Sequence, residues 1–248
     1  MHFRPWLALI IGGILMGQNT VKNAPSQFES DVFPTESGDV RLTFIGHGSL
    51  MIQFGNKIIH VDPVMGEADY SEFPKADLIL ITHSHFDHLD GTAIDHVKNK
   101  NTRLIYSADC EDRYPGGKLM ANRENFILDW MTVEAVPAYN LVHKRPDGNP
   151  FHPKGSGNGY VISFSDLRIY IAGDTENIPE MKVLENIDIA FLPMNLPYTM
   201  TPEMVADAAI AFRPKILYPY HYGTTDPQKL VELLSQDDDI EVRIRQLQ

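Results

Sequence analysis

An apolar run, Leu78-Ile-Leu-Ile81, breaks off into Thr82-His83-Ser84-His85-Phe86-Asp87-His88. Asp77–Thr82 reads as a strand buried on both faces, the kind found in parallel sheets with a layer on each side. The polar cluster follows at once. On an extended backbone His83 and His85 point to the same side and can reach one ion. The chain must then turn, which brings Asp87 and His88 toward a neighbouring position. Imidazole and carboxylate suit zinc, manganese or iron, and a cluster without thiolate points to catalysis over a structural zinc site. Three His and one Asp within six residues are hard to ascribe to an ordinary polar loop.

The rest of the chain frames that strand. Val40–Ile45, Ser49–Phe54 and Lys57–Val61 are apolar runs divided by Gly46, Gly48 and Gly55-Asn56, the turn chemistry of hairpins. A helix from about Thr92 to Lys98 and a strand Arg103–Tyr106 come next. Further strands fit Thr132–Pro137, Gly159–Ser163, Arg168–Ala172, Asp188–Leu192, Ile216–Tyr218 and Ile240–Ile244. Helices fit Thr201–Phe212 and Asp226–Leu234, each opening on an N-cap residue followed by proline. Hairpins first and strand–helix units afterwards predict an α/β chain with sheets packed face to face and helices outside. Asn140–Asn158 has no apolar period and is expected to be a long loop, which in a compact domain tends to be functional.

Two further strand ends offer donors. Ile169-Tyr-Ile-Ala-Gly-Asp174 throws a carboxylate off a strand, and His221 follows the strand ending at Tyr218. Strand ends on one sheet edge converge on one cleft. A lone cysteine, Cys110, excludes disulfide frameworks and Cys-rich zinc modules. A formal charge of −12 makes the surface a poor match for nucleic acid. The 248 residues are expected to divide into a signal peptide or anchor over 1–24, a linker over 25–39 and one domain carrying the cluster over 40–248. Arg4 followed by the uncharged run Trp6–Met16 has the basic start and apolar middle of an export signal. The expectation is a periplasmic or extracellular protein, touching a membrane only through this segment if it stays uncleaved. The oligomeric state is left open.

Thr-His-Ser-His-Phe-Asp-His at 82–88, Gly-Asp-Thr at 173–175 and His221 resemble the metallo-β-lactamase fold superfamily. Ile45-Gly-His-Gly-Ser49, Val61-Asp-Pro63 and Met200-Thr-Pro-Glu203 are similar to its metal-dependent hydrolase branch, which contains L-ascorbate-6-phosphate lactonase. The resemblance implies a four-layer αββα sandwich with two divalent ions, zinc foremost and manganese or iron as alternatives. It implies that His83 and His85 bind the first ion, that Asp87, His88 and His221 bind the second, and that Asp174 bridges. Relatives place a histidine after the strand at Thr132–Pro137, where this chain has Asn140. His152 is the expected substitute, with His143 and the weaker oxygen ligand Asn140 as alternatives.

Around the ligands, His47 is expected at one remove from the ions, and Asp62 is expected to fix the tautomer of a ligating histidine. Tyr198, Tyr220 and Tyr222 are candidate proton donors or substrate contacts, whereas His60 and His96 read as structural. A coordinated water ionises near neutral pH and supplies hydroxide for metal-assisted hydrolysis, with Asp87 and Asp174 as the catalytic carboxylates. A small lactone, ester or amide is the expected substrate. The alternative is a phosphodiesterase acting on a nucleotide, nucleic acid or phospholipid headgroup. It would want a basic arm, and the only candidate is His143-Lys144-Arg145. A di-iron redox protein would need a second domain, for which the length leaves no room. A binding protein without activity is argued against by the near-complete ligand set.

Overall fold

A computed structural model describes residues 23–248, so the expected signal peptide or anchor over 1–24 lies outside the described residues, apart from its last two positions. Two seven-stranded sheets form the centre, and each is built from one continuous stretch of chain. The first contains β1 (Ser30–Phe33), β2 (Val40–Gly46), β3 (Ser49–Phe54), β4 (Lys57–Val61), β5 (Leu78–Ile81), β6 (Arg103–Tyr106) and β7 (Lys118–Leu119), in that order. The second contains β8 (Asn125–Leu128), β9 (Met131–Ala138), β10 (Gly157–Phe164), β11 (Leu167–Ile171), β12 (Ile189–Pro193), β13 (Ile216–Tyr220) and β14 (Glu241–Val242). In both, antiparallel hairpins come first and parallel crossovers follow.

The sheets pack face to face. Phe44 on β2 meets Tyr218 on β13 at 5.1 Å and Phe191 on β12 at 6.2 Å, and Phe54 meets Phe164 at 5.3 Å. Strand β5 is buried twice over, as its unbroken apolar run predicts. Leu78 and Leu80 join the core between the sheets, while Ile79 and Ile81 join an outer core with Ala93, Ile94 and Val97 of α1 (Gly91–Val97). Helix α1 starts where Asp90 accepts from the Thr92 and Ala93 amides. On the outer face of the second sheet lie α2 (Pro179–Lys182), α3 (Pro202–Phe212) and α4 (Gln228–Leu233), where Phe212 meets Tyr170 edge-on. This is the four-layer αββα sandwich expected. No helix among the described residues is long and apolar enough to cross a membrane.

One expectation needs correction. Residues 25–39 are not simply a linker, because β1 pairs antiparallel with β2 from Ser30↔Thr43 to Phe33↔Val40. Its Asp31 carboxylate accepts from Arg245 at 2.7 Å, tying the strand to the far end of the chain. An edge strand with half-exposed residues carries too little apolar signal to be read beforehand.

His60 is structural, as expected. It is fully buried on β4 against Tyr70 and Phe73, and its Nε2–H donates to the Pro74 carbonyl. Burial pushes its pKa down to about 4, with the Pro74 bond opposing. The imidazole is therefore neutral in the fold and takes up a proton on unfolding below pH ~6.5. Its contribution is intact above that value and is lost as pH falls toward 4. Between pH 7 and pH 4.5 the wild type should lose about 2–3 kcal/mol more than His60→Gln, measured by urea unfolding. Equal losses in both proteins would remove His60 from the acid response.

Candidate metal centre

The site is assembled at one edge of the sandwich from turns that follow strands. His47 lies in the β2–β3 turn, Asp62 follows β4, and residues 83–88 follow β5. His152 comes from the β9–β10 loop, Asp174 follows β11, and His221 follows β13. Three of these residues hold left-handed backbone, His47 (φ 49°), Asp62 (φ 44°) and His221 (φ 46°). Each costs roughly 1–2 kcal/mol in a non-glycine residue, and strain of this kind concentrates at functional sites. Gly48 and Gly173 permit the close approach. A Cβ at Gly48 would stand 2.7 Å from His88 Cε1, and one at Gly173 would stand 2.8 Å from the Asn158 carbonyl oxygen.

The side chains form two adjoining groups. His83, His85, His152 and Asp174 make the first, with all four donor atoms within 4.8 Å of one another. His83 Nε2 and His152 Nε2 lie 3.0 and 3.2 Å from His85 Nδ1, and His152 Nε2 lies 3.1 Å from Asp174 Oδ2. His47, Asp87, His88 and His221 make the second within the same limit. Asp174 stands between them, its Oδ2 3.5 Å from His221 Nε2 and its Oδ1 3.4 Å from His88 Nε2.

All the expected ligand residues therefore meet in one place. His47 is closer than expected. Its Nε2 lies 3.4 Å from Asp87 Oδ2 within the second group, and its Nδ1 meets the Gln248 main-chain oxygen at 3.0 Å. A glycine-flanked turn gave no means of fixing that depth from sequence.

Neighbouring groups aim the rings. Asp62 accepts the His88 Nδ1 proton at 2.8 Å and bonds of 2.8 and 2.7 Å from the Thr82 amide and hydroxyl. Thr82 Oγ1 lies 3.0 Å from His83 Nδ1, so one buried carboxylate orients a histidine of each group and leaves its Nε2 facing inward. Asn140 is not among the cluster's donor atoms. Its Oδ1 accepts from the His152 amide and from His152 Nδ1, both at 2.8 Å, which points His152 Nε2 at the cluster. His143 is also elsewhere, its Nδ1 2.7 Å from Glu176. Tyr198 lines the cavity beside the cluster, whereas Tyr220 and Tyr222 are core residues and His96 sits on α1.

The electrostatics favour cations. Burial opposes charge on Asp174, but His221, His88 and His152 outweigh it and hold the carboxyl well below the usual range. Asp87 is likewise lowered, where hydrogen bonds from His221 and His47 overcome its burial. Burial, reinforced by neighbouring histidines, lowers His83 and His85, so both present neutral lone pairs. His88 behaves oppositely: burial works against the proton, yet Asp174 and Asp62 raise its pKa to about 9. The donor set fits divalent ions on one direct observation. His88 Nε2, His221 Nε2 and Asp174 Oδ1 are buried in the cluster with no hydrogen-bond partner among the described residues. Orphaned polar atoms of this sort are costly unless something coordinates them.

Glu176 was not singled out by sequence reasoning. It is fully buried and accepts from the Leu141, Val142 and His143 amides at 2.6, 2.6 and 2.7 Å, and from Asn140 Nδ2 at 3.2 Å. Burial raises its pKa, but these donors win and keep it lowered. An acidic residue two places after Asp174 carries no signal of its own, because its partners lie 33 to 36 residues away. Glu176→Gln puts an amide where three N–H groups need acceptors. It should cost about 2–4 kcal/mol, a Tm loss of roughly 5–15 °C by calorimetry. An unchanged Tm would show that the loop does not depend on this carboxylate.

A family model described as the beta-lactamase superfamily domain matches residues 41–221. A metal-dependent hydrolase of Thermococcus onnurineus is 31% identical over 219 residues, 81% of this chain and 95% of that protein. One from Ligilactobacillus salivarius is 30% identical over 201 residues, 77% and 88% of the two chains. A crystal structure from Parabacteroides distasonis, described as a metal-dependent hydrolase, superposes with a TM-score of 0.85 at 51% identity, covering 89% of this chain and 100% of that one. Igni18, a metallo hydrolase of Ignicoccus hospitalis, shares the fold at 23% identity with a TM-score of 0.68, covering 84% and 95%.

Proposed function

The chain belongs to the metal-dependent hydrolases of the β-lactamase superfamily, and on that premise we propose that it uses two divalent ions, zinc foremost, to hydrolyse a small lactone, ester or amide. The observation that carries this reading is the set of partnerless donor atoms at the junction of two four-residue groups. His83 Nε2, His85 Nδ1 and His152 Nε2 would hold one ion. Asp87, His88 Nε2 and His221 Nε2 would hold the other, with Asp174 available to both. Bound ions supply Lewis acidity and make hydroxide available near neutral pH.

The chain's own groups do the rest. Asp62 keeps the protons of His88 and Thr82 on the side away from the substrate. Asn140 does the same for His152. Asp87, the more exposed of the two carboxylates, with His47 on its Oδ2, is placed to hold a proton on its way to the leaving group. Tyr198 borders the space the substrate enters. The phosphodiesterase alternative is less well served. Among the described residues Arg145 is the only Lys or Arg lining the two cavities beside the cluster, too little for a nucleic-acid track.

Metal analysis of the purified protein before and after chelation, with a parallel screen of lactones, esters, amides and phosphodiesters, tests the proposal. We expect about two ions per chain and hydrolysis of a carbonyl substrate that ceases on chelation and returns with zinc. Turnover of phosphodiesters alone would replace the substrate class. Full activity in the metal-free protein would end the reading. We propose further that the protein is exported, which N-terminal sequencing of the material outside the cytoplasm decides.

A further inference from the structure

We propose that the cavity walled by Phe86, Phe151, Tyr198 and Arg145 is an acid-binding subsite. The substrate would then carry a free carboxylate on a hydrocarbon arm, with the carboxylate on Arg145 and the arm against the three rings. This rests on the hydrolase reading above and names the substrate class for that same site. The cavity holds about 340 Å³ and also touches His85, Asp87, His152, Asp174 and His221, so an occupant lies directly beside the metal-ligating groups. Two aromatic rings stand at its mouth. Phe86 is 80% exposed between two of the ligands, and Tyr198 is 45% exposed.

Arg145 is built into that wall. Its amide donates to the Asn149 carbonyl at 2.7 Å, and the Gly148 amide donates back to the Arg145 carbonyl at 2.9 Å. This tight turn sets Arg145 beside Phe151. The guanidinium lies over the Phe151 ring at 5.0 Å and donates to the Phe151 carbonyl at 3.3 Å, while Phe151 packs edge-on against Tyr198 at 5.1 Å. In a chain with 33 acidic and 21 basic residues, Arg145 makes no ion pair among the described residues. The nearest acid in sequence, Asp147, is held by the Asn149 amide and side chain instead, at 3.0 and 3.1 Å. The guanidinium donors not given to Phe151 are thus left for an incoming anion, and their planar geometry matches a carboxylate. Arg145 also borders the larger neighbouring cavity, where Asp109 and Asp147 stand with it.

The test is equilibrium binding of 4-phenylbutyrate to the metal-loaded full chain by calorimetry, with 4-phenylbutanol, acetate and 3-phenylpropylphosphonate as companions. Phenylbutyrate should bind at least about tenfold more tightly than each companion, and Arg145→Gln should weaken it roughly 10–100-fold. Equal affinity in wild type and Arg145→Gln, or equal binding of the alcohol, would overturn the subsite. Tighter binding of the phosphonate would overturn the carboxylate assignment. Hydrolysis gives a separate reading. Monobenzyl succinate should exceed benzyl methyl succinate in kcat/KM by about tenfold or more, and Arg145→Gln should erase the difference through KM. Should neither ester turn over while Arg145-dependent binding persists, the ester branch of the proposed function fails and the subsite stands.

Discussion

Asp174→Asn is expected to lower kcat/KM on the order of 10³-fold and to reduce metal content at both positions, while the metal-free variant melts within a few degrees of the metal-free wild type. The side chain keeps its volume, so the core between the strands is undisturbed. What it loses is the one negative charge placed 3.1 to 3.5 Å from nitrogens of both groups. An amide oxygen is a poorer partner than a carboxylate for a divalent ion, and it can no longer balance two cations in a buried space. Loss of an electrostatic group at a reacting centre costs about 10²–10³ in turnover, and here the same change also weakens what the histidines can hold. Metal analysis and a thermal melt read the two effects separately. Retention of both ions with more than a tenth of the activity would sink the bridging assignment.

His152→Ala should remove one of the two ions and lower turnover roughly 10²–10³-fold. Imidazole suits zinc better than an amide oxygen. His152 Nε2 stands at the three-way contact with His85 and Asp174, while Asn140 holds its other nitrogen. Asn140→Ala should therefore act through His152 and cost about 10–100-fold. His143→Ala should stay within about threefold, because that ring faces Glu176 and not the cluster. An alanine at 152 that binds two ions as tightly as the wild type would overturn the assignment; so would a smaller loss there than at 143.

Periodicity and turn residues located the strands that run through the core, and β3, β4 and β6 have the boundaries their apolar runs predict. The strands not read in advance, β1, β7 and β8, lie at sheet edges with exposed or half-exposed side chains, where neither alternation nor hydrophobicity stands out. In the site, residues that carry their chemistry in a local motif were legible. His83 through His88 declare themselves by spacing, and Asp62 does so by a turn beside a strand. The depth of His47 was not legible, since it depends on a carboxylate 40 residues away. Glu176 was invisible for the same reason: its role exists only after residues 140–143 fold back over it. Long-range contacts of this kind leave no period in the sequence.

Each sheet is spun from its own continuous run of residues, and the cluster borrows from both. His47, Asp62, His83, His85, Asp87 and His88 come before residue 120, and His152, Asp174 and His221 come after it. Neither run owns a complete coordination sphere, so a growing chain cannot capture its full metal complement until the second sheet has docked on the first. Loading is thus a readout of completed assembly. Ions that bind only the docked form also act as rivets between the two runs. At a free concentration 1,000 times Kd, one such ion adds about 4 kcal/mol against their separation.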